Sequence, residues 1–576
     1  MKISLTINGQ KIKAQAGQTI LEIAQQNGID IPALCYHPDL SVKATCRLCL
    51  VAIKGVALPQ TACSTMAVDN MEITTESPEL TQLRKTNLEL IFSQHQEECA
   101  DCVWDKKCEL LNLARKYKVE ITRFTDRKKD FPVYDFDGIL SFDSSKCIDC
   151  RNCVEACEKQ QVNHLKLKSL RADLLKTGPQ SGEVCPRDFN FQEIAPDDNN
   201  PCVYCGQCLM HCPAGAFEAE SEFEKIEQPL QDKSKTIVFQ FAPSIRACLG
   251  EEFGLAAGFD LTGQIIAGLK QLGANFVFDT ACGADFTTFA EATEGLFRIQ
   301  QNKNLPMLSS CCPSWVRFIE VYWPQFIPHL ATTRSPQVIL GGLIKTYWAR
   351  QKNIAPENII VISVMPCIAK KYEITREELK INNLSPVDYV LTTRELARLL
   401  KNRRIDLPNL IGELPDELLG DYSGAGVIYG ASGGVMESAL RTAYFLANGK
   451  NKKINFTKVR GQQGLKIATI NLGKMKVKVA VANGLANAME ILKNFEKFKD
   501  FACIEVMACP GGCIGGGGQP LPSTPEIRQA RADGLYQIDK NKKLRLAHEN
   551  PTLKKVYQEF LTNEVIIKKI CHTKYS

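Results

Sequence analysis

IIVISVMPCIAKKYE, residues 359–373, decides the reading of the larger part of this chain. Its apolar first half reads as a short buried strand, with Cys367 standing at the end. From Lys235 onward similar runs alternate with helical stretches: TIVFQFAPS (236–244), NFVFDTA (275–281), VDYVLTT (387–393) and KVKVAVAN (476–483). That texture predicts an α/β fold with a largely parallel sheet. Ligands in such folds bind beyond strand ends, and the other cysteines here are placed in the same way. Cys311 and Cys312 lie in SSCCPSW (309–315), Cys509 and Cys513 in EVMACPGGCIGGGGQP (505–520). A [4Fe-4S] cluster needs four converging thiolates, so the five leave Cys311 over.

The 576 residues predict several domains, and 44% hydrophobic content with 23% charged excludes disorder. A net charge of +6 is a small excess over 70 basic residues. It gives no support to nucleic-acid binding and suits transient docking of an acidic electron carrier. The opening MKISLTINGQKIKAQAG lacks an apolar signal core, and no run of about 18 apolar residues occurs. No membrane association and a cytoplasmic location are therefore expected, where 25 cysteines need metal rather than disulfides.

Those cysteines fall into groups. Cys35, Cys46, Cys49 and Cys63 sit around the strand-like ISLTING (3–9) and CLVAIKG (49–55), one tight pair with distant partners, as in [2Fe-2S] ferredoxins. Their gaps of ten, two and thirteen residues differ from the plant spacing. A zinc ribbon wants two tight pairs. His95, Cys99, Cys102 and Cys108 follow, His95 lying four residues before Cys99 at the end of a predicted helix, LRKTNLELIFSQH (83–95). That set could hold tetrahedral zinc, and the redox groups on either side favour iron-sulfur. Then come two C-x2-C-x2-C-x3-C runs, Cys147, Cys150, Cys153, Cys157 and Cys202, Cys205, Cys208, Cys212. In this bacterial ferredoxin repeat each fourth cysteine serves the other cluster, which assigns Cys212 to the first trio and Cys157 to the second. The polar stretches 125–138 and 221–235 read as linkers.

Taken together, the three C-terminal cysteine blocks resemble the H-cluster signatures of [FeFe]-hydrogenases, the enzymes that interconvert hydrogen with protons and electrons. The N-terminal spacing and the His/Cys site are similar to those of clostridial-type hydrogenases and the iron-sulfur subunit of respiratory complex I. The resemblance implies a multidomain α+β and α/β protein, with ferredoxin-like iron-sulfur modules preceding a large α/β H-cluster domain. The expected domains are 1–78 with [2Fe-2S], 79–126 with the His/Cys [4Fe-4S] site, 127–222 with two [4Fe-4S] clusters, and 223–576 with the H-cluster. It further implies that Cys312, Cys367, Cys509 and Cys513 hold the cubane. Cys513 bridges to a two-iron subcluster with carbonyl, cyanide and azadithiolate ligands. Ser244 and Lys370 match positions contacting the cyanides; Met365, Met507 and Gln337 match positions lining the pocket.

Cys311 matches the proton donor to the azadithiolate amine. Glu291, Glu294 and Arg298, which share a helix face at i, i+3 and i+7, match the proton path. On residue type alone these would be a solvated charge face, and the methionines core packing. Ala331 stands where the family has a relay serine, so water or the hydroxyl of Thr332 or Thr333 substitutes, or transfer slows. Tyr429 stands where phenylalanine is expected. Implied partners are ferredoxin or a similar small carrier and H-cluster maturation proteins. The alternatives are a catalytic subunit of an NAD(P)-linked or electron-bifurcating complex with flavin- and NAD(P)-binding subunits, and a hydrogen sensor. No full G-x-G-x-x-G occurs, so no nucleotide site is read in this chain. Cys185, Cys248, Cys282, Cys503 and Cys571 receive no role.

Overall fold

Alternation builds the first strand: β1 (Lys2–Ile7) buries Ile3, Leu5 and Ile7 and exposes Lys2 and Ser4 between them. Asn8 and Gly9 then take φ of 50° and 82°, the pair of left-handed residues that a two-residue hairpin demands. The chain returns as β2 (Gln10–Gln15), antiparallel to β1. With β3 (Leu50–Ile53), β4 (Gln60–Thr61) and β5 (Glu72–Thr74) they form a sheet ordered β2-β1-β5-β3-β4. The helix Pro78–Phe92 is tied to it by Arg84. That side chain has no exposed surface and donates to the carbonyls of Leu48, Leu50 and Thr75 at 3.0, 2.7 and 2.8 Å.

The computed structural model describes residues 2–93, 95, 102, 104, 107–124, 131–169, 192–452 and 454–576. Cys99 and Cys185 lie outside them. The chain divides into two compact units: Met1–Glu158, Asn163–Asn200 and His211–Glu218 in the first, Lys159–Val162, Pro201–Met210 and Ala219–Ser576 in the second. The first unit also carries the hairpins β6 (Val133–Phe136) with β7 (Leu140–Asp143) and β8 (Leu165–Ser169) with β9 (Gln192–Pro196). β10 (Phe217–Ala219) joins the former in the order β10-β7-β6.

The second unit contains the expected α/β core. Its strands are β11 (Thr236–Phe241), β12 (Phe276–Asp279), β13 (Met307–Leu308), β14 (Ile359–Met365), β15 (Tyr389–Thr392), β16 (Leu465–Leu472), β17 (Met475–Asn483) and β18 (Phe501–Met507). One sheet, β12-β11-β14-β15, is parallel throughout. The other, β13-β18-β17-β16, is parallel except for the β16–β17 hairpin. Almost every residue of β11 and β14 is buried, because a parallel sheet is covered on both faces. Every apolar run singled out in the sequence is one of these strands.

Both segments read as linkers contain regular structure. Val133–Phe136 is a strand whose only buried residue is Phe136, and Phe223–Gln231 is a helix whose only buried residue is Ile226. Elements that bury so little keep a polar composition. Among the described residues no helix is long and apolar enough to cross a membrane.

Candidate active site

The strand ends bring the C-terminal cysteines together. Cys312 is the N-cap of the helix Pro313–Tyr322 beyond β13, and Cys367 and Cys509 each follow their strand, β14 and β18, by two residues. With Cys311 and Cys513 they line one cavity of about 80 Å³, whose walls include Met365 and Met507. Burial, then the charge of Cys312, pushes the Cys367 thiol up to about 12. Burial also raises Cys509 and Cys513, with Cys367 and Cys312 the next causes, and burial alone raises Cys312. Four thiolates this close are stable only around positive charge, so the donor set fits an iron-sulfur cluster.

The backbone around these thiols is packed too closely for side chains at two of its glycines. Gly512 has φ 95°, and a Cβ there would lie 2.7 Å from Ser432 N and 2.9 Å from Met507 Sδ; at Gly516 it would lie 2.3 Å from Pro366 O. Polar groups ring the cavity. Lys370 Nζ donates to Cys311 O at 3.2 Å and to both Glu373 oxygens at 3.0 and 2.8 Å. Glu373 also accepts from Ser335 Oγ at 2.8 Å and Gln337 Nε2 at 2.6 Å. The buried Gln337 Oε1 has no hydrogen-bond partner among the described residues, an open acceptor beside a cavity it lines. Ser244 Oγ accepts from Gln519 Nε2 at 3.2 Å.

The helix Thr280–Gln301 carries the acidic series. Glu291 is 3% exposed, and its Oε2 has no hydrogen-bond partner among the described residues. Burial, with the charges of Glu294 and Glu505 behind it, raises its carboxyl to about 8. Glu294 is held differently: Oε1 accepts from Arg298 Nη2 at 2.6 Å, and Oε2 from Thr332 Oγ1 at 3.0 Å and Thr333 Oγ1 at 3.3 Å. Both threonine hydroxyls thus bond Glu294 and neither bonds Glu291, so they do not span the two carboxyls as a substitute for the missing serine at Ala331. Tyr429 OH lies 2.9 Å from Thr288 Oγ1, itself 2.7 Å from Ser438 Oγ, a buried hydroxyl chain beside the cavity. After burial, the charge of Glu291 is the largest cause raising both Cys311 and Tyr429.

Among the described residues, parts of the N-terminal groups come together as well. Cys46 N donates to Cys35 Sγ at 3.5 Å, and Cys49 and Cys63 sulfurs are 3.3 Å apart. Cys108 caps the helix Glu109–Lys116, and its charge is among those raising Cys102; His95 Nδ1 lies 2.8 Å from Lys146 O. Cys212 comes to the first ferredoxin run: after burial, its charge and that of Cys147 are the next causes raising Cys150. In the second unit Cys509 Sγ lies 3.9 Å from Cys205 O. Gly206 packs so tightly on the Gly517 backbone that a Cβ would come within 2.9 Å of it.

Glu373 escaped the sequence reading although it locks Lys370, Ser335 and Gln337. The i, i+3 pair Lys370 and Glu373 on one short helix was its available signal. Cys248, Cys282 and Cys571 are fully buried, whereas Cys503 shares a second, apolar cavity with Glu291.

Residues 235–517 match the family model "Iron only hydrogenase large subunit, C-terminal domain". Residues 1–78 match a 2Fe-2S iron-sulfur cluster binding domain, 84–123 the NADH-ubiquinone oxidoreductase-G iron-sulfur binding region, and 525–576 the iron hydrogenase small subunit. The NADP-reducing hydrogenase subunit HndD of Solidesulfovibrio fructosivorans is 38% identical, over 100% of this chain and 98% of its own. Iron hydrogenase 1 of Clostridium pasteurianum is 36% identical over 99% of both. A solved structure of the [FeFe]-hydrogenase HydA(deltaEFG) is 35% identical, covers 61% of this chain and 98% of its own, and superposes with a TM-score of 0.53. Full-length similarity of this degree, on a fold that gathers the cysteines at its strand ends, shows that the chain belongs to the [FeFe]-hydrogenases, iron-sulfur oxidoreductases that act on H2.

Proposed function

We propose that the chain runs 2H⁺ + 2e⁻ ⇌ H₂ in the cytoplasm, at an H-cluster held by Cys312, Cys367, Cys509 and Cys513, with Cys513 the bridging ligand. The observation that carries this is the five-cysteine cavity, one thiol more than a cubane needs. When bound, the H-cluster supplies the iron centre that exchanges electrons and binds hydrogen. The chain's own residues do the rest. Lys370, fixed by Glu373, presents a point charge to anionic ligands; Ser244 adds a hydroxyl and Gln337 an amide. Met365 and Met507 keep water from the cavity. Cys311 holds the exchangeable proton at Sγ; Glu291, still protonated near neutral pH, gives its own proton on toward that sulfur as the thiol proton leaves and is recharged from the Glu294 side, where Arg298 balances the carboxylate's charge.

One [2Fe-2S] cluster at Cys35, Cys46, Cys49 and Cys63 and three accessory [4Fe-4S] clusters carry electrons. His95, Cys99, Cys102 and Cys108 hold one of the three, and the doubled repeat holds two. The approach of Cys205 to Cys509 supports electron entry from the second ferredoxin run. A ferredoxin is the proposed donor or acceptor, and maturation proteins supply the two-iron subcluster. The full-length likeness to HndD supports a second reading, a catalytic subunit whose NAD(P) and flavin chemistry lies on other chains. The test is hydrogen evolution from reduced methyl viologen by matured protein beside C311A. Evolution lost in C311A, with carbonyl and cyanide infrared bands retained, is expected. A wild-type chain with those bands and no turnover speaks for a sensor or for a subunit silent without its partners.

A further inference from the structure

The Glu294 carboxylate has an outward partner supplied by the end of the chain. Thr332 Oγ1 is 3.0 Å from Glu294 Oε2 and 2.8 Å from His572 Nδ1. His572 Nδ1 itself is 3.8 Å from Glu294 Oε2. Backbone pairing fixes this approach. Thr333 and His572 form an antiparallel bridge, Thr573 N donates to Thr332 O at 2.8 Å, and Arg334 N donates to Cys571 O at 2.7 Å. Side-chain exposure rises outward, 11% at Glu294 and 22% at His572.

Arg298 is the cation paired with Glu294, at 9% side-chain exposure. A guanidinium holds its proton throughout the working pH range, so Arg298 balances the carboxylate's charge and cannot pass protons on. An imidazole titrates near neutrality and can.

We propose that His572, acting through the Thr332 hydroxyl, carries protons between Glu294 and solvent, so that the C-terminal segment completes the proton path. The proposal rests on the reading of Glu291 and Glu294 as that path. Outward, a protonated Glu294 gives its proton to Thr332 Oγ1 while the hydroxyl proton passes to His572 Nδ1. The imidazolium then releases its Nε2 proton to water, and the ring regains its first tautomer by exchange with solvent. Inward transfer reverses each step. The groups facing His572 are Glu294 from the helix Thr280–Gln301, Arg334 from the adjoining segment and Lys568 from its own helix. Burial, Arg334 and Lys568 lower its pKa and Glu294 opposes them, leaving the neutral, proton-accepting ring at pH 7.

His572 also ends the helix Glu564–Cys571, so a purely structural role must be separable. Wild type, H572A, H572Q, T332V and E294Q holoproteins, each with carbonyl and cyanide infrared bands checked, are compared in rate against pH in both directions. Their ¹⁵N-histidine spectra give a readout independent of turnover. H572A is expected to lose about tenfold in rate, less than the 10²–10⁴ of a group acting at the reacting atoms, and to recover when imidazole is added. T332V keeps its shape, loses rate and is not rescued. E294Q moves the His572 titration midpoint down, since the carboxylate that stabilises the imidazolium is gone. An unchanged rate–pH profile in H572A and T332V, a loss that imidazole does not restore, or a His572 midpoint indifferent to E294Q overturns the proposal alone. An E294Q enzyme as fast as wild type overturns the path beneath it.

Discussion

Glu291 shows what one buried carboxyl does. Its folded-state pKa is raised by burial from 4.5 to about 8. Between those values the folded chain holds a proton that the unfolded chain has released, so stability falls as pH rises through the window and levels off above it. E291Q has no such group. Its unfolding midpoint relative to wild type is expected to climb from pH 5 to pH 8, and an offset that does not vary with pH sinks the assignment. Tyr429 makes a second prediction: Y429F removes one hydroxyl from the chain through Thr288 and leaves Thr288 bonded to Ser438. The cost should be about 1 kcal/mol by denaturant unfolding. The sequence displayed the thiol ligands openly, since cluster ligands cluster in spacing. It displayed Glu291 and Glu294 only through a resemblance, because i, i+3, i+7 charges also describe any wet helix face.

The element scale is ruled by long-range ties that no local pattern announces. Arg246, in the short helix Ile245–Cys248 after β11, donates from Nη2 to both carboxylate oxygens of Asp279 at the end of β12, at 2.7 and 2.6 Å, with neither side chain exposed. Asp279 also caps the helix Thr280–Gln301 by accepting from Ala281 N at 2.9 Å. D279A strands a buried guanidinium and uncaps the helix bearing the acidic series. It should cost about 3–5 kcal/mol, read as a lowered denaturation midpoint, and a loss below 1 kcal/mol would contradict the buried pair. Glu505 works likewise, accepting from Gly433 and Met436 N at 2.7 Å each and so anchoring the start of the helix Gly434–Asn448. Strands β11, β12, β14 and β15 were legible because burial on both faces makes them continuously apolar, and β17 because exposed Lys476 and Lys478 alternate with buried valines before its buried second half. The β6 strand and the helix Phe223–Gln231 were not, because each buries a single residue and so keeps the polar composition of a linker.

At the scale of the whole molecule, the cysteine groups fix the order of modules along the chain, yet the doubled ferredoxin repeat is divided between the two units, 201–210 in one and 211–218 in the other. Spacing reveals which ligands share a cluster and carries no information on which unit each loop packs into. All five cavity cysteines belong to the second unit. A solved hydrogenase covering 61% of this chain and 98% of its own does without a counterpart of most of the remainder. Residues 223–576, which give up only 159–162, 201–210 and 219–222 of the second unit, should therefore fold alone, accept a matured cluster and evolve hydrogen from methyl viologen, a donor small enough to reach a site without a dedicated surface. Ferredoxin, a protein donor, depends on a docking surface and on the accessory clusters. With it the shortened chain should lose at least about tenfold, the low end of what guided encounter adds, and the full chain's ferredoxin rate should fall with salt as screened charges stop steering. Equal loss with both donors would mean that the N-terminal modules serve the second unit's folding rather than its supply of electrons.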